Sequence, residues 1–196
     1  MPTMNTRKIY IEGGIYHVYN RASAHSRLFN DNRDYRVFVS LIRHKLCKSL
    51  NSLERTSKFY GKIELYAYCL MPTHFHLLLK QKDEKTIAGF MKSLQLSYSH
   101  YKHICQAKRG SLYEDRYKAR LITSTRDLLT TSRYIHRNPQ EIVADPEKYQ
   151  FSSLRIYTNI HVRNKHSYAF LNTKEILRYY EYSPKMYSDF VKGQAS

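Results

Sequence analysis

Hydrophobic and polar positions recur at two different periods along this chain, and each change of period marks an element. After Gly13-Gly14, the residues Ile15, His17 and Tyr19 alternate with Tyr16, Val18 and Asn20, a period of two that predicts a first strand. From Asp31 the spacing becomes helical. Val37, Phe38, Leu41, Ile42 and Leu46 fall on one side behind Asn30 to Asn32 as capping residues, which predicts a helix over about Arg33 to Leu50. The polar stretch Asn51 to Lys58 reads as a loop. Two strands follow. Ile63, Leu65, Ala67 and Cys69 alternate along one, Phe75, Leu77 and Leu79 along the other, and Met71-Pro72-Thr73 supplies the hairpin turn between them. Ile87, Phe90, Met91, Leu94, Tyr98 and Tyr101 form the stripe of a second helix, which should end before Lys108-Arg109-Gly110. Tyr117 to Ile122 predicts a fourth strand. Ser124, with Asp127 three residues on, opens a third helix that Pro139 limits. Further on, Thr173 to Tyr182 reads as another short helix before Ser183-Pro184.

The order strand, helix, strand, strand, helix, strand, helix is that of an α+β fold: a ferredoxin-like split βαβ antiparallel sheet with one helix added after the fourth strand and a helical extension at the C-terminus. In that topology the first and third strands are expected at the centre of the sheet, running parallel. Residues 1–140 would form the main domain and residues 141–196 an extension packed on it or continuous with it. No internal repeat is visible.

Length and composition narrow the field. At 196 residues the chain is too short for a complete (β/α)8 barrel, which needs roughly 250. Hydrophobic residues at 42% are enough for a real core. Charge adds the most, because 33 Lys and Arg against 16 Asp and Glu leave +17 and make nucleic acid the first partner to consider. Nothing approaches the run of about 18 apolar residues that a membrane span requires, and Met1-Pro2-Thr3-Met4 opens no apolar signal region, so a cytoplasmic protein without a membrane partner is expected. The three cysteines, Cys47, Cys69 and Cys105, form no Cys-x-x-Cys pair and read as buried reduced thiols. With 19 Tyr and no Trp, any aromatic surface for stacking on bases is phenolic.

Candidate chemistry begins on the third strand. His74-Phe75-His76 sends both imidazoles to one face and Phe75 to the other, a two-point metal platform, although the same pattern also fits a pair of structural histidines. A metallo-hydrolase of the His-x-His-x-Asp type would want a carboxylate where this chain has Leu78, which argues against hydrolysis by a bound hydroxide. On the third helix, at about 100° per residue, Leu128 and Ile135 share the buried stripe while Tyr134 is displaced by about 100° and flanks it. Asn138, four residues on, lies on the same flank as Tyr134. That flank fits a nucleophile beside a third metal ligand, and equally a rim tyrosine above a helix-ending Asn. Preceding Pro139, Asn138 is expected to be drawn out of helical geometry. His17 is expected in the sheet and not on a metal, and His44, His100 and His103 as solvated or core residues.

Several segments taken together resemble the Y1 tyrosine transposases of the IS200 type, and within them the REP-associated tyrosine transposases of the His-hydrophobic-His (HUH) single-strand endonucleases. They are Gly13-Gly14-Ile15-Tyr16-His17-Val18 with Arg21, Met71-Pro72-Thr73-His74-Phe75-His76-Leu77-Leu78, Gly110-Ser111-Leu112-Tyr113-Glu114-Asp115-Arg116-Tyr117-Lys118, and Tyr134-Ile135-His136-Arg137-Asn138-Pro139. Relatives often carry Trp where this chain has Tyr113, and IS200-type members carry Gln where it has Asn138.

The resemblance implies roles. His74 and His76 would be paired ligands of Mg2+ or Mn2+, Asn138 the third ligand, and Tyr134 the nucleophile, leaving a 5′-phosphotyrosine and a free 3′-OH on single-stranded or hairpin DNA. The activity implied is nicking and strand transfer, that is, DNA transposition; a catalytically silent single-stranded nucleic-acid-binding module is the alternative. Arg116, Lys118, Arg120, Arg133 and Arg137 surround the site in sequence and are expected on the DNA backbone. Arg21 joins them, with a surface ion pair as its alternative. A monomer and a homodimer both stay open.

Overall fold

The computed structural model describes residues 9–24, 26–49, 55–106, 110–163 and 168–193. Four strands, β1 (Ile15–Arg21), β2 (Ile63–Met71), β3 (His74–Gln81) and β4 (Lys118–Leu121), form one sheet in the order β2-β3-β1-β4. The expected opening Met1-Pro2-Thr3-Met4, the Lys108-Arg109 break and Asn51 to Glu54 of the expected loop lie outside the described residues.

Every neighbouring pair is antiparallel, which corrects the expectation that β1 and β3 run parallel. The two are central, as expected. The parallel relation belongs to β1 and β2, because α1 (Asn32–Leu46) carries the chain back to the starting end of the sheet, and the tight Pro72-Thr73 turn then folds β3 between them in the opposite sense. Before β1 the backbone turns at Gly13, with φ +68°, a left-handed value that glycine adopts without a Cβ penalty. A Cβ on Gly14 would stand 2.7 Å from the Tyr16 ring.

One face of the sheet receives α1 and α2 (Thr86–Gln106). Phe75 meets Phe38 there with ring centroids 5.2 Å apart, and Phe38 meets Tyr98 edge to face at 5.0 Å. Each such fully buried side chain contributes about 1.5–3 kcal/mol. Asp31 caps α1 by accepting from the N–H groups of Arg33 and Asp34. The helix stops at Leu46, short of the expected Leu50, because its buried stripe ends there and Cys47 is already extended. Of the three free cysteines only Cys69 is buried; Cys47 is half-buried and Cys105 exposed, since the buried positions of α2 run out at Lys102.

The other face receives α3 (Thr125–Arg137), whose buried residues Leu128, Thr131, Ser132, Ile135 and His136 follow the spacing of a single stripe. Ser124 caps it as expected, accepting from the Asp127 N–H at 3.1 Å. Beyond it, two short 3-10 turns (Asn138–Glu141 and Pro146–Lys148) lead to α4 (Leu154–Thr158), α5 (Ile160–Arg163), α6 (Lys174–Leu177) and α7 (Pro184–Lys192). This region covers the free edge of β2. Leu70 N–H donates to Phe151 O at 3.0 Å, Ser153 N–H to Tyr68 O at 2.9 Å and Asn172 N–H to Leu65 O at 2.8 Å.

The expected helix over Thr173 to Tyr182 is cut short. It becomes α6 and a 3-10 turn, and the chain then reverses through left-handed Glu181 and Tyr182, at φ +51° and +59°. Ser183-Pro184, read as a stop, starts α7: Pro184 occupies the first turn and the Ser183 side chain accepts from Met186 N–H. Among the described residues no helix is long and apolar enough to cross a membrane.

Candidate active site

Period two along β3 places His74 and His76 on the α3 face, and the antiparallel register pairs them with Arg21 and Tyr19 of β1. His17, two residues earlier on the same face, comes close enough for its Nε2 to lie 2.9 Å from His76 Nδ1. Both rings are buried. Sequence reasoning left His17 in the sheet, where it is, but missed that it shares the site. The signal was available in the strand order, because any split βαβ sheet sets β1 beside β3.

Tyr134 comes from the flank of α3, as its displacement from the Ile135 stripe predicts. Its ring meets His76 and His17 edge on, with centroids 5.5 and 5.8 Å apart, and remains 53% exposed. One turn further along, the Asn138 carboxamide reaches down to the sheet, with Oδ1 3.0 Å from His74 Nε2. The other His74 nitrogen, Nδ1, lies 3.1 Å from Thr73 Oγ1. Contrary to expectation, Asn138 keeps right-handed helical angles, φ −47° and ψ −40°, and its N–H bonds to Tyr134 O. Pro139 follows as part of a 3-10 turn, so the last helical hydrogen bond is retained and the side chain points as a helical residue would.

The three donors fit a divalent cation. His76 Nε2 is buried without a hydrogen-bond partner among the described residues, where burial normally demands one. The 3.0 Å contact between His74 and Asn138 serves a hydrogen bond, and it also equals the spacing of two ligands at a right angle on a cation with bonds of about 2.1 Å. Among the described residues no three His, Cys, Asp or Glu side chains gather as a metal site. This set reaches three only through a carboxamide oxygen. Burial, then the neighbouring His17 and His74, pushes the His76 pKa down to about 2. Burial, with Arg120 as the next cause, lowers that of His17 to about 4. His76 is therefore neutral near pH 7, as a metal ligand must be, and so is its neighbour His17.

A cleft of about 430 Å3 opens beside these groups, between His17 and Tyr19 on β1, Arg120 on β4, and Asp127, Thr130 and Tyr134 on α3. The candidate phosphate-binding cations divide around it. Arg116 and Lys118 are exposed. Arg120 donates to both Asp127 oxygens at 2.8 and 2.9 Å and to Thr131 Oγ1 at 2.7 Å. Arg133 lays its guanidinium 5.2 Å from the Phe190 ring centroid, and Arg137 donates to Gln140 Oε1 at 2.9 Å. Arg21 pairs with Glu114 at 3.3 Å in an exposed ion pair, the alternative weighed for it.

The family model of IS200-like transposases matches residues 16–138, a span that contains both histidines, Tyr134 and Asn138. Among solved structures, the fold is similar to that of a REP-associated tyrosine transposase bound to a REP hairpin. The TM-score is 0.62 at 16% identity, over 82% of this chain and 88% of that one. A chain from Deinococcus radiodurans R1 assigned as a transposase gives a TM-score of 0.41 at 20% identity, over 69% of this chain and 95% of that one. No curated protein matches the sequence.

Proposed function

Because the chain belongs to the IS200-like transposase family, and is thereby an enzyme acting on DNA, we propose that it nicks and rejoins single-stranded or hairpin DNA through a covalent bond to Tyr134. The observation that carries this reading is one cluster: Asn138 Oδ1 lies 3.0 Å from His74 Nε2, the His74 and His76 rings stand 5.1 Å apart with His76 Nε2 unpartnered among the described residues, and the exposed Tyr134 ring meets His76. The similar REP-associated transposase was solved with a REP hairpin, which supports a folded single strand as the substrate here.

Tyr134 Oη attacks the scissile phosphorus; the O–P bond forms as the phenol gives up its proton, the bond to the 3′ oxygen breaks, and that oxygen takes up a proton to leave as a 3′-OH, so that one proton passes in net from phenol to leaving group. The 5′-phosphotyrosine retains the phosphodiester energy, so the 3′-OH of another strand reverses the step and joins new DNA without ATP. His74, His76 and Asn138 would hold Mg2+ or Mn2+, which supplies stabilisation of the charge developing on the phosphate. The chain's own contribution is placement. The α3 stripe fixes the backbone of Tyr134, and the ring stands at the mouth of the cleft where a flexible strand can enter. Arg116 and Lys118 offer exposed positive charge to the flanking backbone.

The test is incubation of the full chain with Mn2+ and a labelled hairpin oligonucleotide, followed by a denaturing gel. A protein-linked label that disappears in Tyr134→Phe supports the proposal. Cleavage surviving in Tyr134→Phe indicates hydrolysis, and binding without cleavage indicates a silent binding module.

A further inference from the structure

We infer that His17 is a positioning residue that selects the tautomer of His76, holding its proton on Nδ1 so that Nε2 presents a lone pair toward a divalent cation. This rests on the cation reading of the preceding section.

The hydrogen bond between His17 Nε2 and His76 Nδ1, 2.9 Å long and buried, has room for a single proton. There are two ways to place it. If His17 donates, His76 Nδ1 is the acceptor and His76 must carry its own proton on Nε2. That would leave a buried N–H with no acceptor among the described residues and close the nitrogen to a cation. If His76 donates from Nδ1, its Nε2 is bare, and His17 carries its proton on Nδ1. Only the second arrangement gives His76 a ligand nitrogen. The acceptor that enforces it lies on another strand, 59 residues away, and the antiparallel β1–β3 register holds it in place.

The rings also fit an orienting role. His17 and His76 meet edge to edge, with centroids 5.0 Å apart and planes 30° from parallel, the in-line geometry a ring N–H···N bond needs, so the contact fixes the rotation of His76 as well as its proton. His17 cannot itself be a ligand through Nε2, because that nitrogen is taken by His76. Ligating histidines generally need such a partner on the other ring nitrogen, which is usually a carboxylate or carbonyl; here it is a neutral imidazole.

The test has two parts, neither of which reads catalysis. Mn2+ binding to the full chain is measured by electron paramagnetic resonance in the parent, His17→Ala, His17→Gln, His74→Ala and His76→Ala proteins, with circular dichroism confirming the fold. His17→Ala should weaken Mn2+ binding by about 10–100-fold, the usual consequence of losing such a partner. His17→Gln, whose Oε1 can accept from His76 Nδ1–H, should recover most of the affinity. In the intact Zn2+-loaded protein, long-range 1H–15N correlations should show both His17 and His76 protonated on Nδ1. Unchanged Mn2+ affinity in His17→Ala, or a His17 ring protonated on Nε2 in the loaded protein, overturns the inference while leaving the cation site intact. Mn2+ binding that ignores His74→Ala and His76→Ala sinks the cation site and the inference together.

Discussion

His74 Nε2 and Asn138 Oδ1 lie 3.0 Å apart although 64 residues separate them, joining the start of β3 to the end of α3. If this contact is two-thirds of a ligand set, removing the carboxamide oxygen must cost more than removing an outer partner. Asn138→Leu should weaken Mn2+ binding by at least about 100-fold. Asn138→Asp should restore it, because a carboxylate oxygen occupies the same place and adds charge. Calorimetric titration of Mn2+ into the folded proteins reads both, and equal affinities for the parent and Asn138→Leu would remove Asn138 from the ligand set.

Away from the site, Lys102 Nζ and Asp34 Oδ2 form a 2.7 Å ion pair with both side chains fully buried between α1 and α2. Tyr101 hydroxyl and Asn30 N–H also donate to the carboxylate, at 3.0 and 2.7 Å. Burial opposes ionisation of Asp34, but the Lys102 ammonium and these two donors outweigh it and hold the pKa below the ordinary carboxylate value. A lowered pKa means that the unfolded chain binds the proton more tightly, so the pair's contribution is full above about pH 4 and is lost as pH falls through the folded value. Asp34→Asn leaves a buried ammonium unpaired and should cost about 3–5 kcal/mol at neutral pH. Urea titrations of parent and variant should show that gap narrowing below about pH 4. A gap independent of pH would mean that Asp34 is protonated in the folded state.

Much of this arrangement was legible in the sequence. Alternation around Tyr16 and Phe75 gave the faces of β1 and β3, and Ser124 with the Leu128 and Ile135 spacing placed Tyr134 on a flank and not in the core. What could not be read were relations that depend on direction and distance. The β1–β3 sense follows from the crossover path of α1, which no local pattern records. The contacts of Arg133 with Phe190 and of Arg21 with Glu114 join residues whose separation in the chain carries no period. Arg120 and Asp127 were closer to readable, since a strand end seven residues before a helix's first turn is a short reach. Ser183-Pro184 was ambiguous in kind, because the same dipeptide ends one helix and begins another.

α7 is tied to α3 through a buried polar chain. His136 Nδ1 lies 2.7 Å from Tyr187 Oη and His136 Nε2 2.7 Å from Ser153 Oγ, while Ser153 Oγ accepts from Tyr68 N–H of β2 at 2.8 Å. Tyr187 Oη also donates to Ser132 Oγ at 3.2 Å. Tyr187→Phe keeps the ring and strands the buried His136 Nδ1, while Ser132 Oγ keeps its bond to Leu129 O, and should cost about 1–3 kcal/mol. At this chain length each kcal/mol lowers the melting temperature by about 2–4 °C. Tyr187→Ala also removes the ring packed on Tyr157 and should cost more, about 3–5 kcal/mol. Differential scanning calorimetry separates the two terms; equal melting temperatures for the parent and Tyr187→Phe would show that the hydroxyl is not needed to satisfy the chain.

The division of the basic residues makes the salt dependence of DNA binding diagnostic. For single strands, log K against log salt falls by about 0.7 for each phosphate neutralised. Arg116 and Lys118 are exposed, so Arg116→Gln and Lys118→Gln should each reduce the slope by about that amount, with additive loss in the double variant. Arg120 is held at both ends of its guanidinium by Asp127 and donates to Thr131, so its charge is already compensated beside the cleft. Arg120→Gln should therefore change the slope less than Arg116→Gln or Lys118→Gln. Arg133 packs over Phe190 with its Nε buried, and Arg133→Gln should appear in the melting temperature before it appears in the slope. Fluorescence anisotropy of a labelled hairpin across a salt series gives each of these slopes, and a larger loss for Arg120→Gln than for Arg116→Gln would mean that the Asp127 pair opens when DNA enters.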